Sequence, residues 1–370
     1  MTGAFAAALL VSQAVTPCDE VSLRRMKPMM ATLVTITARG CDAEALEARL
    51  REAFAEMERL AGILSEWDPR SATSRINDNA GIAPVEVPPE LEEVLRAAEE
   101  TSHLTSGAFD ATWAALAPLW KFDGEAPRLP PPEKVKRQRA LVDHRHLLLD
   151  GAAHTAYLER PGMRIGLGGI AKGYIAQAAA DLLVSRGVRD VLVAASGDIA
   201  ARGRNGDRPW TVAVRNPEGG VLATVDLHDE SISTAGDYER SFVIDGCRYH
   251  HILDPRTGYP ARGTRSVTVI APRGVLADGL DTGLLVMGAE RGGTVAASAG
   301  VAALFVDEGG KLHFSPGARG RFSITQEAAV TRPSRARRSP CDVPRSGAPT
   351  GRSPATSRAR ATLLRSESSR

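Results

Sequence analysis

The sequence predicts an α+β fold with mixed, largely antiparallel sheets and packed helices. Many short strand patterns run through the chain, and a few longer segments repeat apolar residues at helical spacing. We find no internal repeat, which argues against a solenoid or propeller. With 370 residues and 43% hydrophobic composition, the chain can bury a substantial core.

The first elements predicted are a strand at residues 31–37, rich in β-branched residues, and a helix at residues 45–64 that Asp42 is placed to cap. Further helices are predicted at residues 90–103, after the glycine-rich segment 166–173, and at residues 277–287. The remaining strand patterns are short and apolar, at residues 191–195, 210–214, 221–226, 242–244, 266–271, 302–306 and 311–314.

Three parts of the chain differ in composition. Residues 30–325 are predicted to form the folded domain, residues 1–29 a leader or weak signal segment, and residues 331–370 a basic disordered tail. The tail holds ten arginines and two acidic residues, so residues 1–330 keep 36 basic against 42 acidic residues, a charge of about −6. This balance excludes a nucleic-acid footprint on the folded part, and no nucleic-acid partner is expected.

The four cysteines are scattered. Cys18, Cys41, Cys247 and Cys341 form no C-x-x-C pair. The spacing argues against a zinc site and against a disulfide framework.

A histidine-containing segment is the most informative stretch of the chain. Asp245–Gly246 tolerates the positive φ angles of a two-residue hairpin turn, so His250 and His251 are predicted to lie on its second strand. Strand alternation then puts His251 on the more apolar face. Residues 254–258 form a rigid turn after it. On this segment alone, a core histidine bonded to a carbonyl explains the pattern as well as a catalytic site does.

The glycine-rich segment 166–173 opens a helix, and its backbone N–H groups could approach a phosphate. It matches G-x-G-x-x-A, with Asp198 after the next strand, so a dinucleotide-binding unit is one alternative. Tight packing of a helix on a sheet through glycine is another.

Two further groups suit a metal and a flat ligand. Asp278 and Thr282 are four residues apart on a helix and can share one cation such as Mg²⁺, although helix capping explains the pair equally simply. Residues 105–112 offer a small-residue loop for a flat heteroaromatic ligand, or merely a helix end with Gly107. Trp67 is either a stacking residue or a core residue.

Taken in order, these segments resemble the ApbE family of flavin transferases, enzymes that move FMN from FAD onto a threonine or serine of a target protein. The resemblance spans about residues 30 to 315. It rests on residues 30–32, 64–67, Ser71, Asn77, 106–110, 167–174, 196–198, 233–238, 251–260 and 277–282.

The resemblance implies a T-fold-like architecture, a Mg²⁺ cofactor, FAD as substrate, release of AMP, and an acceptor flavoprotein as partner. Its implied metal ligands are the backbone carbonyl of Gly169 together with Asp278, Asp281 and Thr282. Its implied flavin contacts are Met30, Trp67, Ala108, Phe109, Asp110, Lys172 and Ile252. Our hypothesis is that His251 is the catalytic base, since an imidazole with an ordinary pKa near 6.5 suits proton removal at neutral pH.

Several points stay open alongside the resemblance. Gly166 and Ala31 stand where the family commonly has Asp and Gly. The alternatives are an FAD pyrophosphatase, a non-catalytic FAD-binding protein, or an NAD(P)-dependent oxidoreductase. A periplasmic or inner-membrane-associated location with membrane association follows from the resemblance, whereas the weak signal segment also allows a cytoplasmic one.

Overall fold

The computed structural model describes residues 19–122, 127–326 and 362–363. Its α-helices are α1 (Ala43–Leu64), α2 (Ala72–Asp78), α3 (Pro89–Leu104), α4 (Pro132–Arg139), α5 (Ala171–Ser185), α6 (Gly274–Met287) and α7 (Ala289–Ser298). Its strands are β1 (Val21–Met29), β2 (Thr32–Gly40), β3 (Val85–Glu86), β4 (Leu147–Asp150), β5 (Thr155–Leu158), β6 (Asp190–Ala195), β7 (Asp198–Arg202), β8 (Trp210–Arg215), β9 (Val221–Leu227), β10 (Ser231–Gly236), β11 (Ser241–Ile244), β12 (Cys247–His250), β13 (Leu253–Asp254), β14 (Tyr259–Pro260), β15 (Thr264–Ala271), β16 (Ala302–Asp307), β17 (Leu312–Phe314), β18 (Ser323–Ile324) and β19 (Thr362–Leu363).

An eight-stranded antiparallel sheet organises the molecule, in the order β1-β2-β6-β7-β10-β15-β16-β17. Side chains alternate between its faces, as the two-residue period of a strand requires. In β16, Ala303 and Phe305 pack with α6 and α7, whereas Leu304 and Val306 pack with the small sheet of β8, β9 and β18. The core therefore has two halves, one on each face of the central sheet. The predicted α+β class with largely antiparallel sheets is confirmed.

The long helix α1 forms where the sequence predicts it. The Asp42 carboxylate accepts hydrogen bonds from the backbone N–H groups of Glu44 and Ala45, so the first turn is capped. Its apolar face is buried against the sheet and against α5, and comprises Leu46, Leu50, Ala53, Phe54, Met57, Leu60 and Leu64. Regular apolar spacing with a good cap thus located the helix to within two residues of its start.

Residues 21–29 were predicted to belong to a leader, but they are part of the folded body. Val21–Met29 forms β1, which pairs with β2 along its full length and belongs to the folded body. The sequence pattern missed this strand because charged residues occur along it instead of an apolar face. Residues 1–18 lie outside the described part of the chain, as does the predicted tail apart from Thr362–Leu363, which pair with β11.

The prediction that the chain has no disulfide framework is wrong, because Cys41 and Cys247 each take part in a disulfide bond.

Within residues 19–122 and 127–326, no helix has both the length and the apolar character that crossing a bilayer requires.

The turn between β1 and β2 carries backbone strain. Met30 and Ala31 have φ angles of 51° and 55°, the left-handed region that disfavours residues with a Cβ. We expect Ala31→Gly to stabilise the protein by about 1 kcal/mol, a rise of about 2 °C in melting temperature, measured by calorimetry. Ala152→Gly, in an exposed turn without a positive φ, is the matched control and should not stabilise. An unchanged or lower melting temperature for Ala31→Gly would contradict this account.

Candidate active site

Three buried aspartates meet between α6 and one end of the central sheet. Asp278 and Asp281 lie one turn apart on α6, and Asp198 begins β7 directly after the Ser196–Gly197 turn. One carboxylate oxygen from each lies within 4.8 Å of the others, and each residue is at most 3% exposed. Buried like charges at this spacing are costly unless a cation or a proton offsets them.

Hydrogen bonds hold the cluster together. The Ser233 hydroxyl on β10 lies 2.6 Å from an oxygen of Asp198 and 2.6 Å from an oxygen of Asp281. One hydroxyl carries a single hydrogen, so it can donate to only one of them, and the other contact needs a proton on a carboxyl group. The Gly173 N–H donates to Asp278 over 2.9 Å. The metal-free arrangement therefore favours a protonated carboxyl.

The pKa shifts of the cluster also favour a protonated carboxyl group. Burial, reinforced by Asp198, raises the pKa of Asp278 to about 7. Burial, with Asp278 and Asp198, raises the pKa of Asp281 well above its ordinary value. The Lys172 ammonium pairs with Asp198. When all three carboxylates are ionised, the group carries a net charge of −2, which a divalent cation would balance. Hard oxygen donors of this kind suit Mg²⁺.

The predicted metal residues are brought together around this cluster. Asp278 and Asp281 belong to it, and the Thr282 hydroxyl donates to Asp281 over 3.1 Å. Gly169 lies against Thr282, since a Cβ at Gly169 would stand 3.2 Å from the Thr282 hydroxyl oxygen. Asp198 was not among the predicted metal residues. It was considered only as part of a dinucleotide-binding unit and as one residue of a motif.

The glycine-rich loop before α5 is held on several sides. The Asn77 side chain donates to the Ile165 carbonyl and accepts from the Ile165 N–H, and the Leu167 N–H donates to the Glu66 carboxylate over 3.3 Å. At Gly173, a Cβ would clash with the Gly274 carbonyl oxygen, so only glycine allows α5 and α6 to approach this closely. The loop thus presents the start of α5 to the carboxylate cluster.

The dinucleotide-binding alternative fails on topology. That unit needs a parallel sheet with a strand leading directly into the glycine loop. In the described residues every strand pairing is antiparallel, and residues 159–170 before α5 contain no strand. The nicotinamide oxidoreductase reading is therefore not supported.

The histidine hairpin forms largely as expected. Asp245 and Gly246 both have positive φ, at 51° and 77°, and join β11 to β12. However, His250 ends β12, and His251 lies in the bend after it. The predicted order of burial is also reversed, because His250 is buried at 3% exposure while His251 is only partly buried. The alternation stops where the strand stops.

His251 is held as a neutral imidazole. Its backbone N–H donates to the Arg240 carbonyl over 3.1 Å, and its Nδ1 has no hydrogen-bond partner in the described residues. Burial, with smaller contributions from His250, Arg240 and Lys172, lowers the pKa of His251 to about 3. A neutral imidazole has a free lone pair at pH 7, the form that a general base requires. The same Lys172 ammonium pairs with Asp198 of the carboxylate cluster.

Three of the seven predicted flavin residues pack against α6. Ala108 and Ile252 share an apolar cluster with Leu280, and a Cβ at Gly283 would stand 3.0 Å from the Cβ of Phe109. All three predicted contacts thus back onto the helix that carries Asp278 and Asp281. They form a buried apolar wall beside the cluster.

Asp110 has a structural task in this region. One of its carboxylate oxygens accepts from the N–H and the hydroxyl of Thr112, and the other accepts from the N–H of His144. Burial raises the pKa of Asp110 despite these bonds. Its predicted contact with flavin stays a prediction.

Met30 and Trp67 lie near the elements that carry Asp198 and the glycine-rich loop. The Met30 turn lies at the same end of the sheet as Asp198, because Val34 near the start of β2 pairs with Ala195 at the end of β6. Trp67 is 75% exposed, which rules out the core alternative, and it follows Glu66, the residue bonded to the glycine loop. An exposed indole beside a phosphate-friendly loop is suited to stacking on a flat ligand.

Comparison with known proteins matches this site. The family model described as "ApbE family" matches residues 30–305. The FAD:protein FMN transferase of Escherichia coli K12 is 32% identical over 305 residues, covering 80% of this chain and 86% of that protein, and that of Treponema pallidum is 34% identical over 298 residues, covering 75% and 82%. Among solved structures, the ApbE protein of Thermotoga maritima has a TM-score of 0.75 at 34% identity, covering 81% of this chain and 99% of that one. The flavin transferase ApbE of Vibrio cholerae has a TM-score of 0.73 at 30% identity, covering 82% and 100%.

Proposed function

The chain belongs to the ApbE family, and we propose that it is an FAD:protein FMN transferase that moves the FMN part of FAD onto a threonine or serine hydroxyl of an acceptor flavoprotein. The observation that carries the proposal is the buried carboxylate cluster, with Lys172 paired to it and influencing the pKa of a neutral His251. The cluster supplies a cation site and the imidazole supplies a base. Phosphoryl transfer needs both.

The proposed transfer forms one P–O bond and breaks another. The acceptor hydroxyl oxygen forms a bond to the FMN phosphorus, the bond from that phosphorus to the bridging oxygen breaks, and AMP leaves with the bridging oxygen. The hydroxyl proton passes to the Nδ1 or Nε2 of His251. Neither FAD nor the acceptor is oxidised or reduced.

Asp278, Asp281, Thr282 and the Gly169 carbonyl would hold the Mg²⁺ ion, and Asp198 lies close enough to join them. When bound, Mg²⁺ offsets the negative charge that develops on the pyrophosphate oxygens. Ser233 keeps Asp198 and Asp281 together, and the Gly173 N–H orients Asp278. These contacts position the ligands before the cation arrives.

The other residues would bind and orient FAD. Lys172 is partly exposed and can turn from Asp198 towards a phosphate. Trp67 would stack on an aromatic ring, and Ala108, Phe109 and Ile252 would form the apolar wall that excludes water from the reacting bond.

The test uses the full chain with FAD, Mg²⁺ and a candidate acceptor domain. Intact mass spectrometry should show an acceptor heavier by one FMN minus one water, with one AMP released per modified acceptor. The FAD pyrophosphatase alternative predicts free FMN and AMP with an unmodified acceptor. Free FMN is measured because Gly166 stands where the family commonly has Asp. A Cβ at Gly166 would meet Ala114 and Trp113 at 3.0–3.1 Å, so a larger residue would displace the Trp113 ring.

The raised carboxyl pKa values predict an unusual pH dependence. A group whose pKa is raised on folding stabilises the protein below its unfolded pKa, and that stabilisation is lost as pH rises through the folded pKa. For Asp278 the loss runs from its ordinary pKa of 3.8 up to the folded value of about 7 and is complete above it. Between pH 6.5 and 8.5 the protein without Mg²⁺ should therefore lose only the last part of this stabilisation, about 1 kcal/mol.

Added Mg²⁺ should remove this loss, because the cation takes the place of the proton. Calorimetry with and without EDTA at the two pH values measures it, and the stabilisation by Mg²⁺ should be larger at pH 8.5. Equal stabilisation by Mg²⁺ at both pH values would count against Asp278 as a ligand. His250 and His251 have the opposite effect on stability near pH 6.5, but this effect is the same with and without Mg²⁺ and cancels from the comparison.

A further inference from the structure

His250 is buried beside the proposed base, and no step of the transfer uses it. Its ring Nε2 lies 2.8 Å from the carbonyl oxygen of Ala261. A carbonyl only accepts, so Nε2 carries the hydrogen and donates it. Nδ1 then has no hydrogen, and in the described residues it has no partner. Burying a polar imidazole costs free energy, so we expect its one hydrogen bond to have a structural role.

The bond from His250 closes a clamp around His251. The Ala261 N–H donates to the Ile252 carbonyl over 3.0 Å, so Ala261 is bonded both to the residue before His251 and to the residue after it. The backbone N–H of His251 is bonded to Arg240. Each residue of segment 250–252 is therefore hydrogen-bonded, although only His250 belongs to β12.

The clamp replaces the support that a strand would give. Bends without ladder hydrogen bonds are more mobile than strands. A base must also stay within hydrogen-bond reach of the proton that it removes, about 2.6 to 3.2 Å. Loss of the His250 bond would detach Ala261 from the end of β12 and leave the bend held by backbone hydrogen bonds alone, which widens the range of positions open to the His251 ring.

We propose that His250 is a positioning residue, whose hydrogen bond to Ala261 holds His251 in the place where it receives the proton of the acceptor hydroxyl. The proposal rests on the proposed function, because it needs His251 to be the base. His250 itself cannot receive that proton at Nε2, which is already bonded, and its ring is 3% exposed.

The test compares two replacements of His250 in the full chain. Glutamine has an amide N–H that can reach the Ala261 carbonyl, whereas leucine has a similar volume and no donor. We expect His250→Leu to lower kcat for flavin transfer about 10- to 100-fold with KM for FAD changed less than about threefold. His250→Gln should keep kcat within about threefold of the parent. Ile244→Ala, which weakens β11 of the same hairpin, controls for simple destabilisation and should leave kcat near the parent value.

A double replacement separates positioning from other roles. If His250 acts through His251, the His250→Leu, His251→Ala protein should transfer flavin as slowly as His251→Ala alone. A further drop in the double variant would overturn the proposal, and so would a His250→Gln protein as slow as His250→Leu or a normal kcat for His250→Leu. Near-normal transfer by His251→Ala alone would instead defeat the assignment of the base. The single variants therefore distinguish failure of the clamp from failure of the proposed function.

Discussion

Replacing Asp278 by asparagine is expected to lower the rate of flavin transfer about 10³-fold at millimolar Mg²⁺, the effect of losing several kcal/mol of charge stabilisation in the transition state. Asparagine keeps the shape of the side chain and can still accept the hydrogen bond from the Gly173 N–H. Only the negative charge is lost. The variant should also bind Mg²⁺ more weakly, seen as loss of the Mg²⁺-dependent rise in melting temperature.

The same replacement should not destabilise the metal-free protein. It removes one of three buried like charges, so the melting temperature in EDTA at pH 8 should stay equal to that of the parent or rise. Asp181→Asn on α5, an exposed carboxylate paired with Arg202, is the matched control and should keep full activity. Normal Mg²⁺ dependence in Asp278→Asn would refute the metal assignment. Loss of activity is informative only if the variant is folded. The melting temperatures with Mg²⁺ and in EDTA are therefore both measured.

Replacing His251 by alanine is expected to lower single-turnover flavin transfer by about 10²- to 10⁴-fold, the usual contribution of a general base. FAD affinity, followed by flavin fluorescence, should change little, since the proposed role is proton removal. The low pKa of His251 also predicts that the base stays unprotonated down to about pH 5. Any loss of kcat/KM between pH 7 and 5 should then follow the carboxylate cluster and lessen at saturating Mg²⁺.

His103→Ala is a suitable control, since His103 is an exposed histidine on α3. Its transfer rate should match that of the parent. If His251→Ala transferred flavin at close to the parent rate, another group or the substrate itself would have to accept the proton, and the mechanism proposed for this site would be wrong.

The fold was predictable where the local pattern and the final environment agree. The helix α1 has a regular apolar face and a capping aspartate, and the strands β6, β8, β9, β15 and β16 carry short apolar runs. The elements that were missed have other reasons for forming. In β7 and β10 the residues are small or polar, and burial there depends on the neighbouring strands and α6.

The candidate site was predictable in its parts but incomplete in its assembly. Asp278 and Asp281 are close in sequence, and a helical period alone brings them together. Asp198 and Ser233 reach the cluster only because β7 and β10 are paired in the central sheet. No sequence spacing reports that pairing. The Ser196–Gly197–Asp198 turn was the available signal, since a carboxylate after a strand and a tight turn is well held.

The histidine segment shows the limit of periodicity. The Asp245–Gly246 turn was identified from its two residues, and the rigid turn predicted at residues 254–258 contains hydrogen bonds from the backbone and the guanidinium of Arg256 to the Asp254 carboxylate. Burial of His250 and His251 was misjudged because alternation was extended one residue beyond the end of β12. Strand ends depend on tertiary contacts, here the bond from His250 to Ala261.

The outermost strands of the central sheet have a consequence for the protein in solution. Within the residues that the structure describes, the sheet ends at β1 and β17, and an outermost strand offers N–H and C=O groups on which another chain could add a strand and begin aggregation. Along β1, Arg24 is exposed, Arg25 and Lys27 pair with Glu47 and Glu58 of α1, and Pro28 lacks an N–H to offer. At the opposite edge β17 is only three residues long. The charged, proline-containing sequence of β1 led to its prediction as part of a leader. The same sequence hinders edge-to-edge pairing of the sheet with a second molecule.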